Sequence, residues 1–182
     1  ATLGWLEDTN AEIIEICRMV WRREPVRHQG EHYQIPLPQD RGTGLGKPLK
    51  LINHPVRSDI PIAVAALGGQ SVEMTAELAD AWLPAFYTAE AASAVWGKAL
   101  AKGQAKRDPA RAPLEIFAGG GVAIGEGFED LRNLSRPQIA LYIGGMGARQ
   151  KNFYNDIFSR SGYAAEAKQI QDLCLAGEKK AA

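Results

Sequence analysis

The stretch that decides the fold is Ile60 to Leu83, IPIAVAALGGQSVEMTAELADAWL. It joins a buried-strand pattern, a glycine turn and an amphipathic helix without interruption. Ile60, Ile62 and Val64, with Ala63, Ala65 and Ala66, form an apolar run after Pro61. The run is too short for a helix and dense enough for a parallel strand covered on both faces. Gly68 and Gly69 break it. From Ser71 the period becomes helical: Val72, Thr75, Ala76, Ala79 and Trp82 recur at three- and four-residue spacings, while Glu73, Glu77 and Asp80 point elsewhere. The carboxyl end of a strand therefore meets a helix N-terminus at a glycine pair. In parallel α/β folds ligands collect at that end of the sheet, and the free N–H groups of a helix start favour an anion such as phosphate.

Upstream, Thr9 to Glu24 places Ile13, Ile14, Cys17, Val20 and Trp21 on one helical face, with Thr9 and Glu12 spaced as a capping box and Pro25 as the stop. Val26 to Ile35 reads as a hairpin about Gln29-Gly30, inserted over residues 25–36. His28 and His32 straddle its turn. With no third ligand nearby in sequence they read as exposed decoration, and no metal is expected. Pro36 to Pro48 holds Gly42, Gly44 and Gly46, but no strand precedes them and Pro48 blocks a following helix, so an extended loop is expected rather than a phosphate loop. Lys50–Asn53 reads as a short strand, followed by His54 and Arg57 in a loop.

Downstream, Trp82–Tyr87 is a short aromatic strand and Thr88 opens a helix to about Lys106. Pro113–Gly125 is the next strand, with Gly119–Gly121 inside it, where either a bulge or the close approach of a ligand is expected. Helix returns at Phe128, broken at Pro137. Lys151–Phe158 follows with Phe153, Tyr154 and Ile157 inward, and then Tyr163–Ala176. Strand and helix alternate, which predicts an α/β fold with a parallel sheet. About four core strands are visible, too few for a complete (β/α)8 barrel of roughly 250 residues.

Composition narrows the function. The chain has 182 residues, 46% hydrophobic and 23% charged, with 21 Lys plus Arg against 21 Asp plus Glu. A single domain over residues 1–182 is the default, and balanced charge argues against nucleic-acid or anionic-membrane partners. Cys17 and Cys174 read as reduced core thiols suited to a cytoplasmic protein. No stretch is long and apolar enough to span a bilayer, and no signal-peptide pattern opens the chain, so a soluble protein is expected.

Several segments together carry a resemblance: EPVRHQGEHYQIPLP (24–38), GTGLGKPLKLINHPVR (42–57), the central stretch, IALYIGGMGARQKNFYNDIF (139–158) and IQDLCLAG (170–177). The chain resembles the luciferase-like flavin and deazaflavin oxidoreductases, above all the branch using coenzyme F420. The resemblance implies a TIM (β/α)8-barrel type of fold, here an incomplete barrel lacking strands on both sides. It implies cofactor binding by the backbone of Ala66, Leu67, Gly68, Gly69 and Gln70, which would hold the phosphate of F420 or, alternatively, of FMN. It also implies a small-molecule substrate and a homodimer. Relatives often carry Gly-Pro-Lys where this chain has Gly68-Gly69-Gln70, which removes a charge near the phosphate. Their catalytic residues lie mostly on early strands, so none is transferred. Two functions stay open: an oxidoreductase moving hydride between the cofactor and an organic substrate, and a non-catalytic flavin-binding or structural partner module built from that barrel.

Overall fold

The structure, a computed structural model, describes residues 4–122 and 124–182. The chain divides into two compact units, one taking in the chain up to Leu83 with Ala99–Phe117, the other Pro84–Lys98 with Ala118–Ala182.

The first unit begins with helix α1, Gly4–Trp21. It starts earlier than Thr9, which lies inside it, so the expected capping box does not form. It closes four residues before Pro25: Arg23 adopts a left-handed φ of 58°, its N–H donates to Val20 O at 3.0 Å and the Glu24 N–H to Met19 O at 3.0 Å. This pair of bonds is a Schellman closure. Strands β1, His28–Gln29, and β2, Gln34–Ile35, form the expected hairpin. Their register, His28↔Ile35 and Gln29↔Gln34, puts the turn at residues 30–33 rather than at Gln29-Gly30. The Pro36–Pro48 segment is a loop, as its composition predicts, with left-handed Gly42 and Gly44. The expected strand at Lys50–Asn53 is absent. Leu49 makes a single bridge to Val26, and Ile52 is 89% exposed, with no neighbouring strand to pair it.

The central unit forms as β3, Ala63–Val64, then helix α2, Gly69–Leu78, then β4, Ala81–Trp82. After helix α3, Ala89–Lys106, strand β5 follows at Glu115–Ile116. The sheet order is β3-β4-β5, all parallel, with Ala63↔Ala81, Val64↔Trp82, Ala81↔Glu115 and Trp82↔Ile116 in register. Consecutive strands joined by helical crossovers lie side by side, as they do in a (β/α)8 fold. The fold is α/β with three core strands rather than four, and no barrel closes among the described residues.

Three expectations are corrected here. Trp82 belongs to β4 and not to the α2 face, because α2 ends at Leu78 and the Asp80 and Ala81 N–H groups turn back to Ile62 O at 2.9 and 3.1 Å. β3 is covered on one face only: Ile62, Val64 and Ala66 are at least half-buried, whereas Pro61, Ala63 and Ala65 are exposed. Gly119–Gly121 lie beyond β5 and are exposed, and a Cβ on any of them would meet nothing within 4 Å, so neither a bulge nor a close approach within the chain accounts for them.

The core of this unit gathers Val72, Thr75, Ala76, Ala79, Ala81 and Trp82, all 3% exposed or less. Helix α3 packs backbone-close on α2. A Cβ at Gly103 would lie 2.1 Å from Glu73 O and 2.7 Å from Ala76 Cβ, so only glycine fits there.

The second unit is helical. Helix α4, Glu129–Ala140, runs through Pro137 without the expected break and widens into a π-helical turn at Leu141–Gly145. Helix α5, Phe153–Phe158, is capped by Asn152, whose Oδ1 accepts from the Tyr154 and Asn155 N–H groups at 3.0 and 3.1 Å. The Asn152 Nδ2 donates to Tyr142 O and Ile143 O, which ties the π turn to α5. Ile157 faces inward as expected, while Phe153 is 48% exposed. Phe86, read as strand, has a left-handed φ of 55° that no strand permits. Its ring instead packs 5.2–5.8 Å from those of Tyr142, Tyr154 and Phe158. Helix α6, Ala164–Leu175, ends in a second Schellman closure at Gly177, φ 86°.

Candidate functional site

The five residues Ala66 to Gln70 sit where β3 gives way to α2, at the carboxyl end of the parallel sheet. Ala66 is buried, and its carbonyl accepts a hydrogen bond from the Trp82 indole Nε1 at 2.9 Å. This bond anchors the exit of β3 to the fully buried ring of β4. Leu67 and Gly68 are half-buried; Gly69 and Gln70 are exposed. Gly68 has extended backbone, φ −67° and ψ 147°, its carbonyl accepts from the Val72 N–H at 2.9 Å, and no side chain caps the helix.

Two features bear on what this turn can hold. The first turn of α2 contains no acidic residue, so that turn itself does not offset the partial positive charge of the helix start. Neither glycine is demanded by local sterics: a Cβ at Gly68 would meet only Ser71 Oγ at 3.9 Å, and one at Gly69 nothing within 4 Å. Both φ values are in the ordinary range. The turn therefore leaves space beside both glycines, at a helix start whose free N–H groups favour an anion. Gln70 offers a neutral amide. Lys47, Lys50 and Arg57, upstream cations, are exposed.

The opposite end of the strands carries a polar cluster that residue spacing does not reveal. Asp80 Oδ2 accepts from the Ile62 N–H at 2.8 Å and from Arg18 Nη2 at 3.3 Å, and its Oδ1 accepts from Arg111 Nη2 at 2.6 Å. Arg107 donates to Ala76 O at 3.0 Å and Ala79 O at 2.7 Å, closing the C-terminus of α2. Burial, then the neighbouring Arg111, lowers the Arg18 pKa, and Asp80 opposes both. This end of a parallel α/β sheet is the one that supports stability rather than chemistry. Asp80, read from its spacing as pointing away, is instead the hub of these contacts.

The hairpin histidines separate. His28 Nε2 lies 3.1 Å from Glu12 Oε2 and its Nδ1 3.7 Å from Glu15, with its side chain only 10% exposed, so it is not surface decoration. Glu12, missed as a binding residue, accepts from the Glu31, His32 and Tyr33 N–H groups at 2.8, 3.1 and 2.8 Å. Burial pushes its carboxyl pKa up, but these backbone donors and His28 outweigh that and lower it to about 2. Cys17 and Cys174 are unpaired and half-buried.

Residues 7–182 match the luciferase-like monooxygenase family. The chain belongs to this family. A relative from Mycobacterium tuberculosis (strain ATCC 25618 / H37Rv), named "Putative coenzyme F420-dependent oxidoreductase", is 40% identical over 171 residues, covering 92% of this chain. The chain spans 49% of that protein's length. In a luciferase-like chain the sequential parallel strands are a segment of a TIM-barrel type of fold. No described helix is long and apolar enough to cross a membrane.

Proposed function

We propose that this chain is the cofactor-phosphate-holding portion of an oxidoreductase that uses coenzyme F420, with FMN as the alternative. The observation that carries the reading is the uncapped N-terminus of α2 at the carboxyl end of β3, open above Gly68 and Gly69. The family match and the name of the mycobacterial relative support the deazaflavin over other phosphate ligands.

The residues present fit a phosphate. The backbone of Ala66, Leu67, Gly68, Gly69 and Gln70 would hold it, with the N–H groups of Gly69 and Gln70 directed at an anion and Gln70 adding a neutral donor. When bound, the cofactor supplies hydride exchange at its ring, and the barrel scaffold orients that ring toward a small organic substrate. The chain's own contribution is positioning. The Trp82 to Ala66 hydrogen bond fixes the end of β3, so that the turn presents its N–H groups without reorganising. A homodimer in a reducing cytoplasm, without nucleic-acid or membrane partners, completes this reading. A non-catalytic flavin-binding or structural module is the second reading, favoured by a core sheet of three strands among the described residues.

Titration of the intact protein with F420 and with FMN over a range of salt separates these. The acidic tail of F420 asks for positive charge beyond the phosphate, which Lys47, Lys50 and Arg57 could supply, so its affinity should fall as screening rises. Tight FMN binding without F420 binding overturns the cofactor assignment. Binding of neither favours the non-catalytic module.

A further inference from the structure

Asp8, Glu31 and His32 each bring one ligand atom to within 4.8 Å of the others. The sequence explains the convergence. Asp8 lies four residues before Glu12 on α1 and so shares its face. Glu12 in turn grips the backbone of residues 31–33 through three N–H donors, which draws Glu31 and His32 down beside Asp8. Gly30 permits the approach: a Cβ there would lie 2.1 Å from Glu12 Oε2. The three side chains thus come from two elements held together by an independent anchor.

We propose that Asp8, Glu31 and His32 form a divalent transition-metal site that clips the hairpin to α1. An imidazole with two carboxylates is a borderline donor set suited to Zn²⁺, Mn²⁺, Co²⁺ or Ni²⁺ rather than to the all-oxygen preference of Ca²⁺ or Mg²⁺. Local charge favours a cation: among the described residues neither the Asp8 nor the Glu31 carboxylate has an ion-pair or hydrogen-bond partner, and Glu12 adds a third negative charge one helical turn from Asp8. Both carboxylates are exposed. Three protein ligands leave water in the remaining positions, so the bound ion exchanges readily and acts as a structural clip.

The test is isothermal titration of the whole chain, freed of metal, with ZnCl₂ and with MnCl₂. Thermal unfolding and the visible spectrum of the Co²⁺ form are read in parallel. The expected result is one site, a thermal midpoint raised by metal, and a Co²⁺ spectrum without thiolate charge-transfer bands, which excludes Cys17 and Cys174 as the ligands. Asp8→Asn and His32→Gln should each weaken binding by about tenfold or more and abolish the rise in midpoint. Asp8 is exposed, so Asp8→Asn should leave the far-UV spectrum unchanged and the comparison interpretable. Absence of binding at about 1 mM metal, unchanged affinity in either variant, or thiolate bands would each overturn the proposal.

Discussion

Glu12 shows how one side chain can do work invisible in its local sequence. Its spacing from Thr9 suggests a helix cap, yet its partners lie 19 to 21 residues away in the hairpin loop. Its lowered pKa has a consequence with a definite sign. A carboxyl that ionises more readily in the folded chain adds stability that is fully present above its ordinary value of 4.5 and is lost as pH falls toward about 2. The hairpin amides should therefore lose exchange protection across that window, and Glu12→Gln should flatten the dependence. An identical acid profile in the variant would remove Glu12 as the cause. At the glycine turn the same scale gives a cleaner discrimination. Because a Cβ at Gly68 or Gly69 meets nothing closer than 3.9 Å, Gly68→Ala should change stability by no more than about 0.5 kcal/mol while weakening cofactor binding. A large loss of stability would mean that the turn serves packing after all. Gly103→Ala provides the contrast. Its methyl has no room against Glu73 O, and a cost of about 1–3 kcal/mol in thermal or denaturant unfolding is expected.

At the scale of elements, β4 joins the two ends of the sheet. Trp82 holds the exit of β3 through Ala66 O, and Asp80, two residues earlier, holds its entry through the Ile62 N–H. Trp82→Phe keeps most of the buried ring but leaves the Ala66 carbonyl unpaired, a cost of about 1–3 kcal/mol, and should lower cofactor affinity by loosening the turn. If stability falls and affinity does not, the turn is held by α2 alone. The strand, turn and helix of residues 60–83 were legible because their signals are local: a switch from apolar run to helical period across a glycine pair. What was not legible depends on partners distant in sequence. Lys50–Asn53 has strand composition and no strand beside it. Trp82 fits the helical period by spacing but is claimed by β4 once Asp80 and Ala81 bond to Ile62. Phe86 looks like strand by type, and its ring is instead drawn into an aromatic cluster with residues 56 to 72 positions away. The glycine turn between strand and helix could be read from sequence, whereas the Asp80 hub and the Glu12 anchor could not.

At the scale of the whole molecule the question is what a three-stranded parallel sheet does with its edge strands and the exposed side of β3. Among the described residues β3 and β5 each have one neighbouring strand, and an edge strand offers backbone groups for further pairing. The exposed side of β3 adds Ala63 and Ala65, and the strand ends add Leu83, Ile116 and Phe117 at 40%, 41% and 53% exposure. Parallel sheets are normally buried on both faces, and soluble monomers seldom leave contiguous apolar surface of more than a few hundred Å² in water. Formal charge does not offset this, since the 21 acidic and 21 basic residues cancel and supply no net repulsion between copies. The 182-residue chain on its own should therefore associate. Sedimentation should show an average mass that rises with concentration, and an environment-sensitive dye should bind the dilute chain and be displaced as it assembles. Charge substitution on the strand ends, Ile116→Lys with Phe117→Lys, should shift the chain toward monomer without unfolding α2, because both side chains are already exposed. A monodisperse monomer that unfolds in a single cooperative step and binds no dye would show that this surface is covered in solution, and would remove the argument for association.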